Sequence, residues 1–487
     1  MKRFYLLLSG CFLSLLILSA CKDNGVGPIS VDNTNNGFST KEVAQIFAEN
    51  CATSNCHSGR TPASGLSLEK YSDLLKGSTD RSHGATPNYG GDVVIPGRLD
   101  ESLLYQMLIG NVTPAVTAHA NVSLDTASIN LIRDWITDGA LGFNGTVPFS
   151  NPSYRVFVCD QNSDKVSVID GDSKVVSTII DVKKIPTLIN SPHMVKLENG
   201  YLYVSLIAAG NFLKIDVSDV SNPATYREVG EVGNAVIEKA GMIILHPNGI
   251  KAYVSRSSTS NPVYTSIFVV NIQTMQVIKQ ITLPAQGVPH GIALTPDGTK
   301  LYVANLSLST ISIIDATNDE YVDEITIPGT EPMQATISPD GNYLYISARG
   351  TGQLLVFDTN SDVQIREVSV DPKPMQIAVT SDGNKIYVGS QETGTVSVIG
   401  KSGLNWIKTK VITHPGFRMI HGCDITGDDK YVYVSCQNTD QSNEFEPYYK
   451  VNGEGAPGFV GIIDTQTDEV IKFLEVEKYG SGLVVEK

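Results

Sequence analysis

Residues 290–328 read HGIALTPDGTKLYVANLSLSTISIIDATNDEYVDEITIP, and the reading of this stretch decides the fold. An apolar run reaches the turn Pro296-Asp297-Gly298, and a second strand follows with Tyr302-Val303 at its centre. A third alternating strand ends in Ile314-Asp315, and a polar turn leads into a fourth. Turn residues between short alternating strands predict one four-stranded antiparallel sheet. The unit recurs along the chain. The aromatic of its second strand reappears at Phe157, Tyr203, Tyr253, Tyr302, Tyr345, Tyr387 and Tyr433, at intervals of 46, 50, 49, 43, 42 and 46 residues. Sheets repeating at this period arrange radially as the blades of a propeller. Seven marks predict seven blades over residues 154–487. The first unit opens at Tyr154-Arg155-Val156-Phe157 without a preceding strand, while the chain ends in YGSGLVVEK (479–487). That last segment is predicted to supply the missing strand and close the ring, hiding edges otherwise open to pairing.

Upstream, the spacing is helical. Thr40 can cap a helix carrying Val43, Ile46 and Phe47, which runs into Cys51-Ala52-Thr53-Ser54-Asn55-Cys56-His57. A c-type haem needs two thiols to form thioethers with its vinyl groups and a His directly after the second Cys to ligate the iron. The usual spacing puts two residues between the cysteines; here there are four. A Cys51–Cys56 disulfide and half of a zinc site are the competing readings, and no matching Cys/His pair for zinc lies downstream.

The surrounding series favours haem. IFAENCATSNCH, SGLSLEKYSDLLKG, VVIPGRLDESLLYQMLIG and SINLIRDWITDGA follow one another over residues 46–140. This resembles the small class I cytochrome c domains of Bacteroidota and Planctomycetes, whose last helix reads I-x-x-W-I-x-x-G-A, matched by Ile132, Trp135, Ile136, Gly139 and Ala140. The resemblance implies one haem c held by Cys51 and Cys56, with His57 as proximal ligand. In that family a Met just before the last helix usually gives the sixth ligand. Here the segment reads TPAVTAHANVSL (113–124), without Met. His119 takes that slot and is the favoured distal ligand, with Met107 as the alternative and His83 third. The C-terminal units in turn resemble YVTN-type repeats, as Tyr302-Val303-Ala304-Asn305 illustrates. The expected fold is therefore multidomain: a small all-α cytochrome c domain (40–140), a linker (141–153) and an all-β seven-bladed propeller (154–487).

The N-terminus reads as a secretory leader. Met1-Lys2-Arg3 precedes an apolar stretch to Leu18, and Leu18-Ser19-Ala20-Cys21 follows. That ending is similar to a lipobox, which implies cleavage after residue 20, a lipid on Cys21 and a place in the cell envelope at the outer membrane. Residues 21–39, polar and rich in Asn and Gly, read as a flexible tether. Of the seven cysteines, Cys11 leaves with the leader, and Cys159, Cys423 and Cys436 remain as an odd number that makes no complete disulfide framework. A net charge of −15 argues against nucleic acid as a partner. Membrane contact is expected through the lipid alone.

Propellers of this class bind at the mouth of the central channel, where the innermost strands begin. Aligning those starts gives His193, Gly241, His290, Met333, Met375, His421 and Ser481, and counting back through the next turn sets Cys436 across from His421. Imidazole, thioether and thiolate donors at one level suit a metal or a further cofactor; filling of a tapering channel is the competing reading. Electron transfer follows as the expected function, with the propeller as docking platform for a redox partner protein. The alternative is an oxidoreductase with its own centre at the mouth and the haem as relay.

Overall fold

The computed structural model describes residues 35–487 except 54–55, 82–85, 114–123, 258–264, 285–286, 440–444 and 448. Residues 154–487 form an all-β propeller of seven four-stranded antiparallel sheets. In blade 4 the strands Pro289–Leu294, Lys300–Asn305, Thr310–Asp315 and Glu320–Thr326 lie in sequence order from the channel outward. Inner strands are buried almost throughout, whereas Glu320–Thr326 is largely exposed, so the apolar run and the alternating run at the two ends of the repeat mark depth in the blade.

The ring closes as the sequence predicts. Gly480–Val485 is the innermost strand of blade 1, with Val156 opposite Val485 and Val158 opposite Leu483.

The repeat is also a device for joining blades. Lys300 and Tyr302 stand two apart on the second strand, so both point to one face. Lys300 Nζ meets the Asp362 carboxylate at 2.9 Å and Tyr302 donates to it at 2.5 Å. Asp362 sits at φ 58° in the outer turn of blade 5. Lys251 and Tyr253 reach Asp319 in the same way, as Lys385 and Tyr387 reach Asp468. These ion pairs are half-buried and hydrogen-bonded, which makes each worth more than an exposed pair.

The N-terminal segment carries four α-helices among the described residues: α1 (Lys41–Asn50), α2 (Tyr71–Leu75), α3 (Leu103–Leu108) and α4 (Thr126–Thr137). Thr40 caps α1 by accepting from the Val43 amide, and Asp125 caps α4 by accepting from Ser128. Phe38, Phe47, Tyr71 and Trp135 pack as a cluster between α1 and α4, with ring centroids 5.0–6.5 Å apart. Tyr71 donates to the Ala140 carbonyl and Trp135 to that of Leu141. Ile132, Ile136 and Ala140 of the terminal motif are buried in the same core.

This segment is not a separate all-α body. Residues 35–487 form one compact unit. Val112–Thr113 pairs with Lys450–Val451, part of a loop inserted in blade 7. Asn88 to Gly90 runs along the outer strand of that blade, bonded to Phe473 through both its amide and its carbonyl. The expected linker is tied down as well, with the Asn151 amide on the Val220 carbonyl of blade 2. Among the described residues no helix is long and apolar enough to cross a membrane.

Candidate functional sites

Two places gather the residues singled out from sequence. The first is the C-terminal end of α1. The helix stops at Cys51, whose amide still bonds the Phe47 carbonyl, and the chain turns back so that the His57 amide meets the Cys51 carbonyl. Cys51 and Cys56 are both free thiols. Burial, with Cys56 beside it, pushes the Cys51 thiol up to about 11, so it is protonated near neutrality. His57 Nδ1 lies 3.1 Å from the Leu66 carbonyl. A carbonyl only accepts, so Nδ1 carries a proton, and a backbone partner of this kind is what orients a metal-ligating imidazole. Cys51 is one of several partly covered side chains packed against the helical core, with Ala52, Leu104, Tyr105 and Leu108.

Met107 is half-buried on α3 and is not among the side chains packed against this core. His119, His83 and Cys21 lie outside the described residues.

The second place is the channel mouth. His193, Gly241, His290, Met333, Met375, His421 and Ser481 each stand second in the innermost strand of their blade, so the alignment made on the repeats holds in space. His193 lies between the other two imidazoles, with ring centroids 5.7 Å from His290 and 5.3 Å from His421. All three are buried. His290 Nδ1 donates to the Met333 carbonyl at 2.9 Å. Neither nitrogen of His193 has a partner, nor has Nδ1 of His421. Burial drives His193 well below its usual range, with His421 and His290 adding to it. It lowers His290 to about 4, against the Met333 bond and helped by Arg349, and His421 to about 3, helped by His290 and Arg349. The three rings are neutral at ordinary pH. Among the described residues no group of three or more His, Cys, Asp or Glu is arranged to hold a metal ion.

Cys436 does not face His421. Its partner in register is Ile420, because a bulge between Ile420 and Cys423 shifts the count. Its thiol lies in the apolar core of blade 7, where burial pushes it up to about 12. It is core packing, not a thiolate donor.

The mouth holds residues that the sequence reading missed. Gln334 and Gln376 stand third in the innermost strands of blades 5 and 6, one after the two methionines. Arg349, Gln391 and Gln437 each follow their blade's second strand by one residue, four after the repeat's aromatic. Arg349 Nη2 donates to Gln391 at 3.2 Å, and Gln391 Nε2 to Gln437 at 3.4 Å, an arc across blades 5 to 7. Reading the repeat at the fourth position after each aromatic would have found all three.

Comparison with known proteins concerns the propeller. Residues 319–403 match the family described as lactonase, 7-bladed beta-propeller. No curated protein matches the chain. A functionally unknown protein from Desulfotomaculum acetoxidans superposes with a TM-score of 0.55 at 16% identity, covering 68% of this chain and 99% of that one. A protein from Lactobacillus plantarum gives 0.52 at 14%, covering 69% and 100%. A putative 6-phosphogluconolactonase from Bacteroides uniformis gives 0.51 at 13%, covering 68% and 99%. At these identities the likeness is one of fold alone.

Proposed function

We propose that this chain is a haem c electron-transfer lipoprotein whose propeller is a docking platform for a redox partner. The observation that carries the reading is the placement of His57: its Nδ1 lies 3.1 Å from the Leu66 carbonyl, which orients the ring directly after Cys56. The donor set fits the group. Two free thiols flank the turn, and each can add across one vinyl group, forming a C–S bond while the thiol proton passes to the neighbouring vinyl carbon. The half-covered side chains packed with Cys51 against the same core, Leu104, Tyr105 and Leu108 among them, offer apolar surface of the kind that a porphyrin face buries. Bound haem supplies a one-electron couple, tuned by its axial ligands.

The rest of the chain serves that couple. Blade 7 grips residues 88–90 and blade 1 holds Arg98 through Asp181 at 2.7 Å, so the helical segment is fixed beside the propeller. A net charge of −15 suits a basic partner. The lipid on Cys21 would keep both at the outer membrane.

Protein matured in a host with cytochrome c assembly should keep its colour through acid–acetone extraction. Cys51→Ala with Cys56→Ala should lose it. Colourless parent protein from a competent host would refute the proposal.

A further inference from the structure

We propose that the channel mouth binds a small carboxylate anion, anchored by Arg349 and received by the imidazoles and amides of blades 2, 5, 6 and 7. The argument begins with hydrogen bonds not made. His193 has no partner on either nitrogen, although a neutral imidazole always carries one N–H. Gln376 is oriented without ambiguity, because its Oε1 accepts from the Cys423 amide at 3.2 Å, so the buried atom left over is Nε2, a donor. Arg349 Nε is buried without a partner as well, and among the described residues this guanidinium forms no ion pair.

His193, His421 and Gln376 are each more than nine-tenths buried. A buried donor left unmade costs about 1–3 kcal/mol, and a charged one more. Several such groups at one end of the innermost strands suit a polar guest. Its sign follows from the inventory. The unmet atoms of His193, Gln376 and Arg349 include three donors, one of them cationic, against one amide acceptor, Gln334 Oε1, and Arg349 stands near enough to His290 and His421 to weaken their basicity. A metal cation would meet Arg349 as a like charge; an anion would neutralise it. A planar carboxylate matches the guanidinium fork.

The site does not depend on the haem, and colour is not its readout. The test is calorimetric titration of the full chain with acetate and oxalate, against sodium chloride at matched ionic strength and against phosphate. The expected result is saturable carboxylate binding, weakened about tenfold or more in Arg349→Gln by loss of a charge-assisted pair. Arg349→Lys, which keeps the charge without the fork, should fall between and serves if Arg349→Gln does not fold. No saturable heat from either carboxylate, the outcome of a mouth filled by water alone, would overturn the proposal. So would binding of phosphate but not carboxylate, or unchanged affinity in the folded variants.

Discussion

At the residue scale the haem reading turns on one undecided ligand. On the proximal side the proposal assigns His57, oriented by the Leu66 carbonyl 3.1 Å from its Nδ1. For the distal side, Met107 is half-buried on α3. His119 occupies the slot that the cytochrome resemblance assigns to the sixth ligand. His119→Ala should leave a high-spin or water-ligated haem and Met107→Leu a low-spin one, read from the visible spectrum of the oxidised protein. The reverse pattern would give the role to Met107. Single residues show where sequence reading stops. His193, His290 and His421 were legible because the repeat brings equivalent positions to one level. Cys436 was misplaced because a bulge at Ile420–Cys423 adds to the count without leaving a mark in the sequence. Arg349 was missed because only the starts of the innermost strands were aligned, and not the fourth position after each aromatic, where Arg349, Gln391 and Gln437 stand.

At the element scale, the strands and caps were legible because each is written locally. Thr40 and Asp125 cap their helices by ordinary side-chain acceptance, and the Asp-Gly turns put Gly298, Gly341 and Gly383 at φ near 70–77°. The seam between the helical segment and blade 7 was not legible. It joins residues nearly four hundred positions apart, Tyr89 and Phe473, and neither stands in a pattern of its own. Phe473 is the centre of that seam, with its ring 4.4 Å from His414, 4.9 Å from Phe459 and 6.1 Å from Tyr89. The Tyr89 hydroxyl adds a hydrogen bond to Glu475, and His414 meets the Pro87 carbonyl at 2.8 Å. Phe473→Ala should therefore cost about 3–5 kcal/mol of stability, the usual price of a buried Phe, and should loosen residues 87–92 first. Hydrogen exchange on the variant checks this, with faster exchange at the Gly90 amide than in the parent. Equal protection there would show that the segment is held by other contacts.

At the scale of the whole molecule, closure of the ring is the feature on which stability most depends. The innermost strand of blade 1 comes from the far end of the chain. The closing segment makes more than ladder bonds: Ser481 Oγ lies within 3.2 Å of both the Cys159 and Pro192 carbonyls, tying blade 1 to blade 2. Glu486 pairs with the nearly buried Arg155 at 2.6 Å. Deleting residues 479–487 leaves that guanidinium unpaired and strips a blade of its core strand, so a large fall in melting temperature is expected by differential scanning calorimetry. An unchanged transition would contradict the closure. Seven blades and their closing strand were readable from the sequence, because a repeat missing its first strand at one end and carrying a spare strand at the other has one economical solution. The packing of the helical segment as part of the same compact unit was not, since a change of texture near residue 150 looks the same whether two bodies touch or not.

The central claim is that this chain carries one covalently bound haem at the end of α1. Mass spectrometry of the protease fragment containing Cys51 to His57, taken from protein matured in a host with cytochrome c assembly, tests it most directly. The account predicts a fragment heavier by one haem, attached through both sulfurs. A fragment with both cysteines as plain thiols, or joined to each other as a disulfide, would contradict it.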